Sequence, residues 1–219
     1  MSNKTAVIIA GGLNSRIKMI KPLINLGGKQ ILIRIHDVLR DLFSEIILVI
    51  SQDQDSEIPD LGLALRMHVL EDIYPNKGPI SGIYTGINSS INNEVFIIGA
   101  DYPFLSKNFI SHMFSISNED KSIFIKNKDI LNPLHAIYIK NDWEDILLKN
   151  IKLYGNYSPK KIISESINNN IKIIDYTKLK EEFIESLFDI NNLSDLKKAK
   201  GIITRKGHAI RPDIRPEGV

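Results

Sequence analysis

The stretch TAVIIAGGLNSRIKMIKPL, residues 5–23, decides the fold class of this 219-residue chain. Residues 5–10 form a continuous apolar run, which is typical of a strand buried on both faces of a sheet. Two glycines follow directly. In an open α/β sheet, ligands bind at such turns, beyond the carboxyl ends of the strands. The segment therefore predicts a central strand that leads into a ligand-binding loop.

Short apolar runs alternate with amphipathic helical patterns along the rest of the chain. Strands are predicted at residues 46–50, 67–70, 95–98, 122–125, 136–139 and 171–174. Helices are predicted at residues 31–43, 80–91, 106–114, 142–150, 158–167 and 194–199. This alternation indicates an α/β fold, a Rossmann-like three-layer sandwich with a mostly parallel sheet.

The chain shows no internal repeat and no linker-like break before residue 200, which predicts a single domain over residues 1–200. Residues 201–219 differ in composition: they contain three of the seven arginines, two prolines and few apolar residues. They are predicted to form a flexible tail.

Composition excludes several classes of function. The net charge is only +2, from 28 basic and 26 acidic residues, which argues against a nucleic-acid or membrane-surface partner. Because the chain has no cysteine, thiolate nucleophiles and Cys-ligated metals are ruled out. No apolar stretch reaches the ~18–20 residues that span a bilayer. We expect a soluble cytoplasmic protein, a monomer or a weak homo-oligomer.

The loop after the first strand has the composition of a polyphosphate site. Gly11 and Gly12 allow backbone N–H groups to approach anionic oxygens, and Arg16 and Lys21 add two cations. The alternative is a tight turn with solvated charges. The loop lacks the Walker A pattern and the G-x-G-x-x-G pattern, and Gly27-Gly28 is interpreted as a plain turn.

Two acidic residues also follow predicted strands. Asp101 lies just after residues 95–98, where one carboxylate and substrate phosphates would suit Mg²⁺. Asp72 follows residues 67–70 at the same predicted edge, where it could bind ribose hydroxyls or support the metal. A turn-capping Asp101 and a solvated Asp72 are the alternatives. Gly78-Pro79 predicts a helix start near this cleft.

Taken together, these motifs resemble the molybdenum cofactor guanylyltransferases, a family of sugar-phosphate-type nucleotidyltransferases. The family's loop reads LAGG-x-x-x-R-M-G-x-D-K, and here Ala10-Gly11-Gly12 is followed by Arg16 and Lys21 at similar spacing. The later segments that resemble the family are GPISG at 78–82, DYP at 101–103, HAI at 135–137 and DINNLSDL at 189–196. The likeness covers roughly residues 5–200.

The resemblance implies a nucleotidyltransferase that moves GMP from Mg–GTP to the phosphate of molybdopterin, with pyrophosphate as the leaving group. It assigns nucleotide binding to Ile9, Ala10, Gly11, Gly12, Lys21, Asp72 and Asp101. Arg16, Lys21 and Asp101 are the expected catalytic residues, and Asp101 is also the expected Mg²⁺ ligand. Asp189 and Asn191 match the segment that faces the acceptor.

The chain departs from the family pattern at several positions. Ile17-Lys18 replaces Met-Gly, Ile20 replaces the Asp before the lysine, and Ser51 stands where the family often has Asn. Asp189 and Leu193 also differ from the late motif. A GTP-dependent adenosylcobinamide-phosphate guanylyltransferase is therefore one alternative. A nucleotide-binding module without catalysis is another.

Overall fold

Nine strands and eight α-helices alternate along the described part of the computed structural model, which comprises residues 3–11, 20–118, 120–155, 157–167 and 170–209. The strands are Lys4–Ile9 (β1), Asn25–Leu26 (β2), Lys29–Gln30 (β3), Glu45–Ile50 (β4), His68–Glu71 (β5), Glu94–Gly99 (β6), Ser122–Asn127 (β7), Ile130–Ile139 (β8) and Ile171–Asp175 (β9). The helices are Ile31–Leu39 (α1), Glu57–Ala64 (α2), Pro79–Ser89 (α3), Lys107–Ser117 (α4), Lys140–Lys149 (α5), Pro159–Glu165 (α6), Glu181–Ile184 (α7) and Leu193–Ala209 (α8).

Seven strands form one sheet in the order β5-β4-β1-β6-β8-β7-β9. Only β8 runs antiparallel to its neighbours within this described sheet, while the other pairings are parallel. The mostly parallel sheet predicted from the alternating pattern is thus confirmed. The remaining two strands, β2 and β3, form a hairpin whose turn is Gly27-Gly28.

Helices cover both faces of the sheet, so the predicted three-layer sandwich is also confirmed. One face packs against buried residues of α1, α4 and α8, such as Ile35, Phe109 and Leu196. The other packs against α3 and α5, through Ile83 and Trp143. None of the described helices combines the length and the hydropathy that a bilayer span requires.

The central position of β1 explains its apolar sequence. Ala6, Val7 and Ile8 have no solvent exposure, because β4 and β6 flank the strand and helices cover both faces. Ile9 pairs with Val49 on one side and Gly99 on the other. The segments that follow these three strands consequently start at one edge of the sheet.

Prolines account for two of the differences from the sequence-based expectation. Helix α2 is missing from the predicted elements, since Pro59 and Gly62 obscure its periodicity. Strand β8 starts at Ile130, six residues before the predicted position, and contains Pro133. The β7–β8 pairing shifts register between Ile123 and Ile125, and a proline is tolerated at such an irregularity.

The predicted tail boundary at residue 200 is wrong. Residues 201–209 continue helix α8 instead of forming part of a flexible tail. Partly buried Ile203 packs against the β2–β3 turn, where a Cβ atom on Gly27 would lie 2.5 Å from its Cγ2 atom. Burial of this apolar side chain accounts for the longer helix. Residues 210–219 lie outside the described residues.

His135, which the family resemblance had singled out, is a core residue. Its imidazole is fully buried and packs against the rings of Phe96, Tyr102 and Phe109. Neither ring nitrogen has a hydrogen-bond partner among the described residues. Burial lowers the pKa of His135 to about 3, because the charged form would be desolvated there.

This burial predicts acid sensitivity of the fold. The unfolded chain binds a proton at His135 near pH 6.5 and the folded chain only near pH 3, so stability is lost as the pH falls through that window. Between pH 7 and pH 5 the loss from this group is about 2 kcal/mol. We expect His135→Leu to remove that part of the pH dependence in urea unfolding. His68→Leu, at an exposed histidine, is the matched control, and equal changes in both variants would contradict the assignment.

Candidate active site

A cavity of about 170 Å³ opens where β1 and β6 end. Its walls contain Ile9, Ala10, Gly11, Lys21, Pro22, Pro79, Gly99, Ala100, Asp101 and Leu134. The described residues of the predicted nucleotide site therefore meet here, with the exception of Asp72. The predicted Gly12 and Arg16 lie outside the described residues.

Gly11 is needed because the backbone of the neighbouring strand passes close to it. A Cβ atom at this position would lie 3.1 Å from the backbone nitrogen of Ser51, just after β4. Strand β1 is extended by one further bond, from the N–H of Ala10 to the carbonyl of Val49. The first glycine of the loop thus allows the chain to leave the sheet beside β4.

Lys21 and Asp101 form an ion pair at the floor of this cavity. The Lys21 ammonium donates to Oδ2 of Asp101 at 3.0 Å, and their side chains are 18% and 23% exposed. Lys21 begins a short 3-10 helix, Lys21–Leu23, in which Pro22 is buried. Because both side chains remain partly open to solvent, an incoming anion and a cation can reach them.

The carboxylate of Asp101 lies in an unusual environment. Burial raises its pKa above the ordinary value, Lys21 opposes that rise, and the nearby charge of Asp189 adds to it. Gly99 leaves the space that this side chain occupies, since a Cβ atom there would lie 2.7 Å from Oδ1 of Asp101. A cation beside Asp101 would favour its charged form.

The late segment with Asp189 and Asn191 reaches the same place. The N–H of Ile190 donates to the carbonyl of Asp101 at 3.0 Å. Asn191 accepts a bond from the Lys21 ammonium at 3.2 Å and donates to Asp189 at 2.7 Å. The structure thus brings together Lys21, Asp101, Asp189 and Asn191, four residues singled out from distant parts of the sequence.

The start of α8 holds this segment in position. Asn192 accepts a bond from the N–H of Asp195, and Asp195 accepts one from the N–H of Asn191. Such reciprocal capping satisfies N–H groups that have no partner inside the helix. The cap fixes the path of the chain just before the helix, and with it the side chain of Asn191.

Asp72 lies apart from the ion pair. It follows β5, two strands from β1, and does not line the Lys21–Asp101 cavity formed by the described residues. Burial raises the pKa of Asp72 to about 6, opposed by a hydrogen bond with Ser81. A Cβ atom on Gly82 would lie 3.5 Å from Oδ1 of Asp72 and 3.0 Å from Ile9. Asp72 therefore lies near the end of β1, on the side of the sheet that contains β5.

The predicted helix start at Gly78-Pro79 is confirmed, and it borders the cleft. Gly78 has a φ of 73°, which a residue with a side chain adopts only with strain, and Pro79 is at the first turn of α3. Pro79 lines the Lys21–Asp101 cavity and also a larger cavity beside it. The helix start thus separates two compartments.

The larger compartment contains residues that sequence reasoning missed. It has a volume of about 440 Å³ and includes Asp101, Tyr102, Asn132, Tyr157, Lys160, Asp189 and Asn191 in its walls. The signal that could have found Asn132 is the Asn132-Pro133 pair, a polar residue beside a strand-breaking proline. The resemblance pointed instead to His135, three residues later.

Asp101 suits a hard divalent cation that also binds phosphate. The described residues contain no group of three or more His, Asp or Glu side chains placed to hold a metal by themselves. Mg²⁺ does not need such a group, because one or two carboxylates and substrate phosphates complete its shell. The partly open carboxylate of Asp101 fits that pattern.

Comparisons with known proteins show the family of this chain. Residues 6–168 match a family model described as the MobA-like NTP transferase domain. Relatives named "Probable molybdenum cofactor guanylyltransferase" occur in Thermococcus sibiricus (32% identity, 90% of this chain and 97% of the relative) and in Carboxydothermus hydrogenoformans (30%, 94% and 100%). A relative of the same name from Clostridium perfringens is 28% identical over 89% of this chain and 95% of its own length.

Solved structures share the fold. A molybdopterin-guanine dinucleotide biosynthesis protein A from Archaeoglobus fulgidus has a TM-score of 0.74 at 21% identity, covering 92% of this chain and 99% of that one. A nucleotidyl transferase from Methanothermobacter has a TM-score of 0.75 at 14% identity, covering 93% and 98%. At these identities the likeness establishes the α/β architecture.

The ion pair predicts how the Asp101 carboxyl titrates. Lys21→Met keeps an unbranched side chain, one atom shorter, and removes its charge, so we expect the pKa of Asp101 to rise further. Carboxyl ¹³C chemical shifts followed against pH measure it. Lys29→Met, which removes an exposed lysine paired with Asp37, is the control and should leave Asp101 unchanged. An unchanged Asp101 titration in Lys21→Met would contradict the pairing.

Proposed function

The chain belongs to the family of MobA-like NTP transferase domains, and from that premise we propose that it transfers GMP from Mg–GTP to the phosphate of molybdopterin. Nucleotidyl transfer as the reaction class follows from the family itself. The observation that carries the finer proposal is the Lys21–Asp101 pair, in which Lys21 lines the smaller compartment and Asp101 lines both compartments. Such a layout suits a reaction that joins two phosphate-bearing substrates.

The smaller compartment is assigned to the nucleotide. Backbone N–H groups after β1 and the Lys21 ammonium would bind the phosphates, and the start of α3 would add a favourable dipole. Arg16 is proposed as a second cation on the same phosphates, as the resemblance implies. Asp72 would contact the nucleoside from beyond Ile9 and Gly82.

The larger compartment is assigned to the acceptor. Asp189 and Asn191 line it, and Asn191 also bonds to Lys21, so the acceptor would approach the same ammonium that binds the nucleotide. A phosphate oxygen of the acceptor would form a bond to the α-phosphorus of GTP. The bond from that phosphorus to the bridging oxygen would break, and pyrophosphate would leave with the electron pair.

Charge neutralisation and positioning would supply the catalysis. The attacking phosphate is already ionised at neutral pH, so no general base is required, and phosphoryl transfer depends mainly on electrostatics and alignment. Lys21 would stabilise the charge that develops on the leaving pyrophosphate. Mg²⁺ held by Asp101 would neutralise phosphate charge when it is bound.

Substitution of the ion pair tests the catalytic assignment. Lys21→Ala and Asp101→Ala should each lower turnover by about 100-fold or more, because each removes charge stabilisation at the reacting phosphate. Pyrophosphate release from GTP in the presence of molybdopterin is the measurement, and thermal unfolding checks that each variant folds. Lys29→Ala is the control, since Lys29 is exposed and pairs with Asp37. Near-wild-type turnover in either test variant would contradict the catalytic assignment.

Nucleotide choice can be tested without the acceptor. A ligand at 100 times its dissociation constant stabilises the folded state by ~2.7 kcal/mol, a shift of roughly 5–11 °C for a chain of this size. We expect that shift with GTP, enhanced by Mg²⁺, and smaller shifts with CTP, UTP and ATP. A larger shift with CTP or UTP would overturn the guanylyl assignment. GTP binding without pyrophosphate release, whatever acceptor is offered, would favour a non-catalytic module.

A further inference from the structure

We propose that Asn132, held in place by Tyr102, recognises the heterocycle of the acceptor through a 2-amino-4-oxopyrimidine edge, with Asp189 as the opposing carboxylate. This inference rests on the proposed function and names the chemical group that the acceptor compartment recognises. It starts from a third cavity of about 240 Å³, which adjoins the larger compartment. The two share Tyr102, Asn132, Lys160 and Asp189 in their walls.

Because the two cavities share walls, they form one continuous space with two different ends. Of these two cavities, only the 440 Å³ one reaches Asp101, while the 240 Å³ one extends toward Tyr176 and Leu187. A ligand with its ring in the distal cavity could project a phosphate toward Asp101. Lys160 lines both cavities and has no carboxylate partner among the described residues, so its charge would favour such an anionic ligand.

The Asn132 amide has one defined orientation. Its Oδ1 atom accepts a bond from the N–H of Leu134 at 3.0 Å, so its amino group must face Tyr102, and it donates to the Tyr102 hydroxyl at 2.9 Å. One amide N–H and the phenolic hydrogen then have no acceptor among the described residues. The second amide N–H of Asn132 is therefore available to a ligand, at a position that the Tyr102 hydroxyl fixes.

Tyr102 is a rigid support for this amide. It is 5% exposed, and its ring packs edge-on against buried His135 at a centroid distance of 5.3 Å. Burial raises the pKa of Tyr102, and the charges of Asp189 and Asp101 raise it further, so the phenol stays neutral while it accepts the bond from the Asn132 amide. Tyr102 thus acts as a positioning residue for Asn132.

The opposing group is an acceptor. Asp189 lines both cavities, and one of its oxygens accepts a bond from Asn191, which leaves the carboxylate open to a second donor. A complementary ring carries a carbonyl oxygen beside a ring N–H and an exocyclic amine. Pterins and guanine both have this edge. The 240 Å³ cavity shares no described wall residue with the cavity assigned to the nucleotide, which favours the pterin, and the experiment separates the two.

Direct binding of a pterin tests the inference. The probe is 6-hydroxymethylpterin with a phosphate ester on its side chain, titrated into the full chain and followed by pterin fluorescence. Asn132→Asp replaces the donor by an acceptor at constant size, and we expect about 10- to 100-fold weaker pterin binding, the cost of an unpaired buried polar group. GTP affinity should not change. Asn141→Asp, an exposed asparagine at the start of α5, is the matched control.

Two further variants check that the loss of binding comes from the Asn132 amide and that Tyr102 acts through it. Asn132→Thr removes the amide with a residue that suits a strand, and it should weaken pterin binding as Asn132→Asp does. Tyr102→Phe should weaken it less, and in the double variant Tyr102→Phe should add nothing to Asn132→Asp. This lack of additivity is expected only if Tyr102 acts through Asn132.

The outcomes separate this inference from the proposed function. Unchanged pterin binding in folded Asn132→Asp and Asn132→Thr would overturn the inference, even if GTP is turned over. If these variants lost affinity for GTP and kept their affinity for the pterin, the inference would also be overturned, because Asn132 would then recognise the guanine base. Asn132-dependent pterin binding without GTP turnover would leave the inference standing and refute the proposed reaction.

Discussion

The parallel pairing of β1 with β6 is the constraint on which the rest of the site depends. Ile9 lies opposite Gly99, and the N–H of Ala100 donates to the carbonyl of Ile9, so the two strands end together. Both faces of this pair are buried, and a slip of one residue would turn core side chains toward the wrong face. The register therefore fixes Gly11 and Asp101 at one edge.

Lys21 joins three remote parts of the chain at that edge. Its ammonium bonds to Asp101 after β6 and to Asn191 before α8, while the backbone of Ile190 bonds to that of Asp101. Ligands can reach and rearrange this contact, since both charged side chains keep partial exposure. Asp101 lines both compartments, and Lys21 contacts the larger one through its bond to Asn191.

The polar groups of the larger compartment are ordered by buried neighbours. Neither nitrogen of His135 has a partner within the described part of the chain, yet its ring supports Tyr102, which in turn holds Asn132. The proline that follows Asn132 lies where the β7–β8 register shifts, so the strand is irregular where it meets the cavity. Irregular backbone next to a site commonly re-aims a side chain in this way.

Sequence patterns alone predict the α/β class, the central strand, and the position of Gly11, Lys21 and Asp101 at one edge of the sheet, because buried parallel strands and their terminal turns have local signatures. Asn132, Tyr102 and Lys160 were decided only by the tertiary structure, since each becomes a wall residue through long-range packing. The tertiary structure was also needed to show that Asp72 lies apart from the ion pair. The same holds for the helical conformation of residues 201–209. Strand order and burial depend on contacts between distant segments, which no local pattern records.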